Sequence, residues 1–409
     1  MKKYLFHRIF IFQLFFWQPI LKITLSSLII VLLLLLSCGD SKQKDAIVPT
    51  EDLDSVEVEP PTPWEDVPLF EGPEINYSLV EIRSTQHLKE IRERFGNDSE
   101  QGKAYRKALR TLNRKELRHM RVGESIIVPD TFLFDMRAYS FFPVEYTGAC
   151  YLPKIIVIDN EYQAYGCYEY GRLVRFAAVN SGKERTPTFP GRYSLVWKQR
   201  LRLSSLDSTW KMPWTFNFHK WAGNAMHQFD MPGRPVSHSC IRQFEDDAEW
   251  IFGWGKQADY DTNRQTIPHS GTPVLILNVF DYDRPKGGPW LELKSNKDYF
   301  IDLPESPMEV EEALIPWCQI PKSSRGVIPN KERYYSAEDT LRKRGIIREG
   351  VVLIPTNDFN LERRLKKAAK EKEEQRKNNA AEPDDDIIPK TFIEEEKTDT
   401  KTEVNTLEI

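Results

Sequence analysis

The chain has 409 residues, room for two or three domains with a sizeable core. Its net charge of -4 is spread over mixed signs with no basic stripe interleaved with aromatics, which argues against nucleic acid as the partner. The 27 prolines outnumber the 20 glycines and point to stiff linkers, while Cys38, Cys150, Cys167, Cys240 and Cys318 lack zinc-ribbon or redox spacing and define no disulfide framework.

Residues 1–37 carry Lys2, Lys3, Arg8 and Lys22 ahead of the apolar run ITLSSLIIVLLLLL. That is the layout of a signal peptide, with a run shorter than the roughly 20 residues of a permanent membrane span. Leu35-Leu36-Ser37-Cys38-Gly39 resembles the lipobox of bacterial lipoproteins. The resemblance implies a lipid on Cys38 and a protein held by a membrane at the periplasmic face of the cell envelope. A single-pass anchor drawing on apolar residues 9–16 is the alternative. Residues 38–76 are acidic and Pro-rich and read as a tether, spanning about 30–35 Å as a flexible chain.

In residues 77–132 a strand-like SLVEIRS, two amphipathic stretches around HLKEIRERF and YRKALRTLNRKEL, and a second strand-like RVGESIIVPD give the order βααβ. Leu112-Asn113 and the run from Arg121 to Pro129 resemble the lysin motif, which implies peptidoglycan binding; a packing subdomain without a ligand is the competing reading. Residues 151–281 are strand-rich, with short runs such as PKIIVIDN, RLVRFAAVNSG, GRYSLVWKQ and PVLILNVF between turn signals. One helix is expected there, over Glu245–Phe252, where acidic residues fill the first turn. The expected class is α+β, a mostly β, sandwich-like domain behind a small βααβ module. Residues 282–357 match no known module. Residues 358–409 are Lys/Glu-rich and read as a solvated helix fraying into a disordered acidic end.

The chemistry gathers in HQFDMPGRPVSHSCIR, from His227 to Arg242. A cysteine nucleophile acts as thiolate, a few per cent of the thiol at neutral pH, so it calls for a nearby base or positive field. His227, His238 and Arg242 offer both. His238 and Cys240 are two apart, on one side of an extended segment, while Gly233 and Pro235 let the chain from His227 fold back.

This segment resembles the L,D-transpeptidase signature, an upstream His followed by Gly, Pro and a Ser-His-Gly-Cys-hydrophobic-Arg box. The family's opening hairpins are similar to VIDNEYQAYGCYEYGRLVRFAAVNSGKERTPTFPGRYSL, including Thr186-Pro187-Thr188 and Gly191-Arg192-Tyr193, and its closing strand to Gly271-Thr272-Pro273-Val274. The resemblance implies that Cys240 is the nucleophile and His227 its base, that Ser237, His238, Ser239 and Arg242 shape the pocket, and that no metal or organic cofactor is needed. It implies peptidoglycan stem peptides and glycan as partners. An amine acceptor would give a cross-link, water a carboxypeptidase, and a protein lysine anchoring of protein to the wall. A non-catalytic peptidoglycan-binding lipoprotein is the reading from another class. Ser239 departs from the family's glycine: if that position needs a positive φ, serine strains it and disturbs the oxyanion geometry.

The blander expectations are these. Zinc on His227, His238 and Cys240 lacks a fourth ligand. Cys318 is expected to be buried, and a Cys150–Cys167 bridge is allowed but not required. His219 and His269 read as structural hydrogen bonders. Trp197, Trp210, Trp214 and Trp221 belong more to a core than to a substrate platform, with some of them placed to line a cleft.

Overall fold

The computed structural model describes residues 66–379 apart from 205, 208, 285, 286, 357 and 358. The signal peptide, Cys38, most of the tether and the acidic end lie outside the described residues.

The βααβ order of the first module is as expected. Strand β1 (Tyr77–Glu81) pairs antiparallel with β2 (Ser125–Pro129), with helices α1 (Thr85–Gly96) and α2 (Glu100–Asn113) between them. Ser84 and Ser99 cap the helices by accepting from the backbone N–H of His87 and Gly102. Leu88, Ile91, Phe95, Leu109, Met120 and Ile126 form the module's own small core. The second helix ends at Asn113, where the sequence places its end at Leu112-Asn113, because Arg114 turns left-handed, with φ 55.

Two further sheets stack on each other. The first contains β3 (Ile155–Asp159), β4 (Ala164–Glu169), β5 (Arg172–Ala178), β6 (Gly191–Ser194) and β11 (Pro273–Leu277), in the order β5-β4-β3-β11-β6. The second contains β7 (Lys198–Leu203), β8 (Lys211–His219), β9 (Asn224–Gln228) and β10 (Ile241–Gln243), in the order β10-β9-β8-β7. The run GRYSLVWKQ, one strand in the sequence reading, is therefore divided between the sheets. Ile156 and Ile158 on one face of β3 meet Phe216, Phe218 and Met226 of the second sheet, while Ile155 and Val157 on the other meet Phe141 and Phe142. Burial on both faces explains why residues 155–158 are an unbroken apolar run rather than an alternating one.

Helix α3 (Glu245–Trp254) runs two residues past the expected end. Its first turn is Glu245, Asp246 and Asp247; Asp247 pairs with Arg175 at 2.6 Å, and Asp246 takes Lys107 and Arg110 of the first module. Residues 282–357, including α4 (Lys322–Arg325) and α5 (Lys331–Lys343), are part of the same body. Ile315, Ile320, Ile328, Leu341, Ile347 and Leu353 complete the core between the sheets. Beyond them α6 (Phe359–Asn379) is the expected charged helix, exposed along residues 365–377.

Candidate active site

Strands β9 and β10 pair in parallel, placing Arg242 opposite His227 and Ile241 opposite Met226. The chain from Phe229 to Cys240 is thus a crossover that delivers Cys240 to the edge of the strand bearing His227. Gly233 (φ 85) makes the fold-back possible: a Cβ there would come within 2.6 Å of Cε and 2.9 Å of Cβ of Lys115.

His227 is buried and its Nδ1 lies 2.9 Å from the Gln228 carbonyl oxygen. A carbonyl only accepts, so Nδ1 carries the hydrogen and Nε2 is left as the basic nitrogen. Burial, helped by the Arg242 charge, pushes the imidazole down to about 4. Burial also raises the Cys240 thiol above the ordinary range, and the Ala225 N–H, Arg242 and Arg202 pull it back only in part. His227 and Cys240 line one small recess with Phe229, Ser237 and Trp210. The resting pair is therefore a neutral thiol beside a neutral imidazole, not the thiolate in a positive field that the residue types suggest. Desolvation outweighs the nearby cations. Alkylation of Cys240 by iodoacetamide is accordingly expected to climb about tenfold per pH unit through neutrality, with no plateau below the ordinary thiol range. A plateau already reached at about pH 6 would mean an ion pair instead.

The nucleophile's loop is held from several sides. The Ser237 hydroxyl donates to the Cys240 carbonyl at 2.5 Å, and the Thr186 hydroxyl donates to the Ser237 carbonyl at 2.9 Å. The Ser239 carbonyl accepts from Thr188 Oγ1 at 3.2 Å and from Asn224 Nδ2 at 3.0 Å. These bonds fix the peptide plane whose N–H belongs to Cys240. Ser239 has φ 71, so the segment around Cys240 is not extended, and the position does take the conformation that favours glycine. Ser239→Gly relieves about 1–2 kcal/mol of left-handed strain and adds about 0.5–1 kcal/mol of chain entropy. The variant is expected to be up to about 1.5 kcal/mol more stable and to acylate faster. Slower acylation in a stopped-flow comparison would show that the serine hydroxyl itself serves the reaction.

Arg242 donates from Nη1 to the Asp230 carbonyl at 3.1 Å and lies 4.6 Å over the Phe229 ring, so it braces the crossover. His238 lies against Trp210 with the two rings tilted and 5.4 Å apart, and its Nε2 lies 3.4 Å from Lys183 Nζ. Burial and the Lys183 charge lower its pKa. His227, His238 and Cys240 do not form a metal cluster. Among the described residues the group close enough to share an ion is Glu116, His119 and Asp230, where Arg118 already pairs with both carboxylates, at 2.5 and 2.6 Å.

These last residues join the first module to the crossover. The Glu116 N–H donates to the Met231 carbonyl at 3.0 Å, His119 Nε2 lies 2.6 Å from Asp230, and Lys115 bridges to Pro232. Buried Asn180 spans the junction, donating from Nδ2 to the Arg114 carbonyl and accepting the Gly233 N–H at its Oδ1.

Cys240, Ser239 and His238 also face a cleft of about 690 Å³. Trp197, Trp210 and Trp221 line it, whereas Trp214 packs on Phe252 at 5.5 Å. Three of the four tryptophans thus reach the cleft, and Trp221 among them also packs against the core. Residues 282–357, which had no expected role, supply one wall through Gln319, Pro321, Ile354 and Thr356. Arg202, Asn224 and Asn180 escaped the sequence reading because they sit outside the motif and carry no spacing signal. Cys150 is exposed and Cys167 buried, and both are free thiols. Cys318 is half-buried rather than buried, since its sulfur faces the Glu338 carboxylate at 3.9 Å. His219 accepts from the Ala222 N–H and His269 meets Glu312 at 2.7 Å, both in structural roles as expected.

Two stacked sheets carrying a cysteine and a neutral imidazole at one recess define an α+β domain equipped for covalent acyl chemistry. Residues 153–276 match the YkuD family model, the L,D-transpeptidase catalytic domain, and this part of the chain is such a domain. No curated protein matches the chain. Among solved structures it is similar to an L,D-transpeptidase from Mycobacterium smegmatis, with 17% identity, TM-score 0.26, and coverage of 31% of this chain and 59% of that one. For Mycobacterium tuberculosis L,D-transpeptidase 1 the values are 20%, 0.23, 31% and 62%. For an L,D-transpeptidase from Xylanimonas cellulosilytica they are 18%, 0.29, 51% and 100%. The chain thus spans about three fifths of the length of the two mycobacterial proteins.

Proposed function

We propose that the protein is a peptidoglycan L,D-transpeptidase that cross-links stem peptides through a thioester on Cys240. The observation that carries this reading is the His227 tautomer: Nδ1 is tied to the Gln228 carbonyl, which leaves Nε2 to take a proton in the recess that also holds Cys240. Cys240 attacks the carbonyl between the third, diamino-acid residue and the terminal D-alanine. His227 removes the thiol proton as the C–S bond forms, then returns it to the leaving amine as the C–N bond breaks. Backbone N–H groups near Ser239 and Cys240 hold the oxyanion. An amine of a second stem then displaces sulfur and closes the cross-link.

The test is to incubate the protein with disaccharide-tetrapeptide muropeptides and resolve products by mass spectrometry. Dimers linked through the third residue, together with free D-alanine, support the reading. Unchanged monomer would overturn it.

We further propose that Cys38 carries lipid and holds the enzyme at the cell envelope, on the strength of the lipobox-like sequence. Cys38→Ser is expected to move the protein from the membrane to the soluble fraction. Full retention in the membrane would favour an uncleaved span.

A further inference from the structure

Strand β7 breaks the usual rule for an amphipathic strand. Its apolar residues Leu201 and Leu203 are 52% and 46% exposed, while Arg202, between them, is half-buried and turns to the cleft beside Cys240. Alternation along a strand puts neighbours on opposite faces, so the sequence has placed its arginine where a leucine would normally go. Such reversals are expected where function overrides packing.

The guanidinium lies 4.6 Å over the ring of Trp197, another cleft residue, and donates from Nη1 to Gln199 Oε1 at 3.3 Å. Among the described residues no carboxylate pairs with it. Asp207 lines the same cleft, but its carboxylate accepts from the Thr209 N–H at 2.8 Å and hydroxyl at 2.7 Å. The other cleft cation, Lys220, is engaged with Thr266 Oγ1 at 3.1 Å. Burial weakens the hold of Arg202 on its proton, and Arg202 lines the same cleft as Cys240. A partly desolvated cation without a counter-ion is costly, and a bound anion offsets that cost.

We infer that Arg202 is a specificity-determining residue that pairs with the free carboxylate of the amino acid leaving from the donor stem. The inference rests on the proposed function. The chemistry fits, because that carboxylate sits two bonds beyond the scissile nitrogen and so enters the cleft next to Cys240. Guanidinium binds carboxylate through two parallel N–H donors, a geometry that lysine does not reproduce. Donor stems ending at the residue after the scissile bond are accepted; stems extended or capped there lose the pair.

The experiment compares a tetrapeptide donor with the same donor carrying a C-terminal carboxamide, scoring release of D-alanine against D-alaninamide. The wild type is expected to prefer the acid by roughly 10- to 100-fold in kcat/KM. In Arg202→Gln and in Arg202→Met, which keeps the packing on Trp197, that ratio falls toward one, mainly through KM for the acid. Arg202→Lys retains part of it. Taking the ratio cancels any effect of Arg202 on the Cys240 thiol. A wild type that releases both leaving groups equally, or variants that keep the wild-type preference, would overturn the inference while leaving the proposed function intact. A wild type that releases neither removes the proposed function, and the inference with it.

Discussion

Cys240→Ala is expected to abolish D-alanine release and to leave no acyl adduct after incubation with a carbapenem, read as the mass of the intact protein. No other described cysteine can substitute. Cys167 is buried in β4 and its thiol is raised well above the ordinary range by desolvation, Cys318 sits against a carboxylate, and Cys150 is not among the residues lining the cleft. His227→Gln separates attack from recognition. Because His227 is neutral down to about pH 4 and presents Nε2 as an acceptor, its loss removes proton transfer and not a fixed charge. Acylation is expected to drop about 10²- to 10⁴-fold, with donor affinity changed far less. An adduct persisting in Cys240→Ala would sink the nucleophile assignment, and a His227→Gln enzyme within a few-fold of wild type would sink the base.

Arg114→Ala is expected to cost about 3–5 kcal/mol of stability, enough to leave a marginal domain partly unfolded. The side chain is buried where the first module meets the catalytic domain. Its guanidinium donates to the Thr111 carbonyl at 2.6 Å, the Leu112 carbonyl at 3.0 Å and the Tyr162 carbonyl at 2.9 Å. It also faces the rings of Phe141, Phe176 and Trp290 at 5.4–5.9 Å. Truncation removes the side-chain donor from all three carbonyls, of which that of Thr111 keeps the Arg114 backbone N–H, and opens a cavity among aromatic rings. The positive φ at this position complicates alanine alone, so Arg114→Gly serves as a control: it relieves the backbone while deleting the same contacts. Denaturant midpoints of both variants should fall together. A loss below about 1 kcal/mol in both would mean that the module is only loosely joined to the catalytic domain.

The sequence by itself determined what is local. The segment from His227 to Arg242 gathered the residue types a thiol nucleophile calls for, and its resemblance to the L,D-transpeptidase box implied Cys240 as nucleophile and His227 as base. Short runs rich in Val, Ile, Tyr and Phe between turn signals placed most strands, and amphipathic periodicity placed the two helices of the first module. The position before Cys240 was marked as one where a positive φ would strain serine, and Ser239 has that φ.

What only the tertiary structure decided depends on contacts between distant parts of the chain. The parallel pairing of β9 with β10 sets His227 against the box, and no periodicity encodes which strand lies beside which. Neutral protonation of the pair follows from desolvation, which is set by burial rather than by residue type. Residues 317–356 close the cleft wall and the interior between the sheets, although their sequence suggested no module. Arg202 shows the limit most plainly. In the sequence it is one more charge on a strand, and only the packing of β7 over the cleft, with its leucines turned out to water, gives that charge a direction.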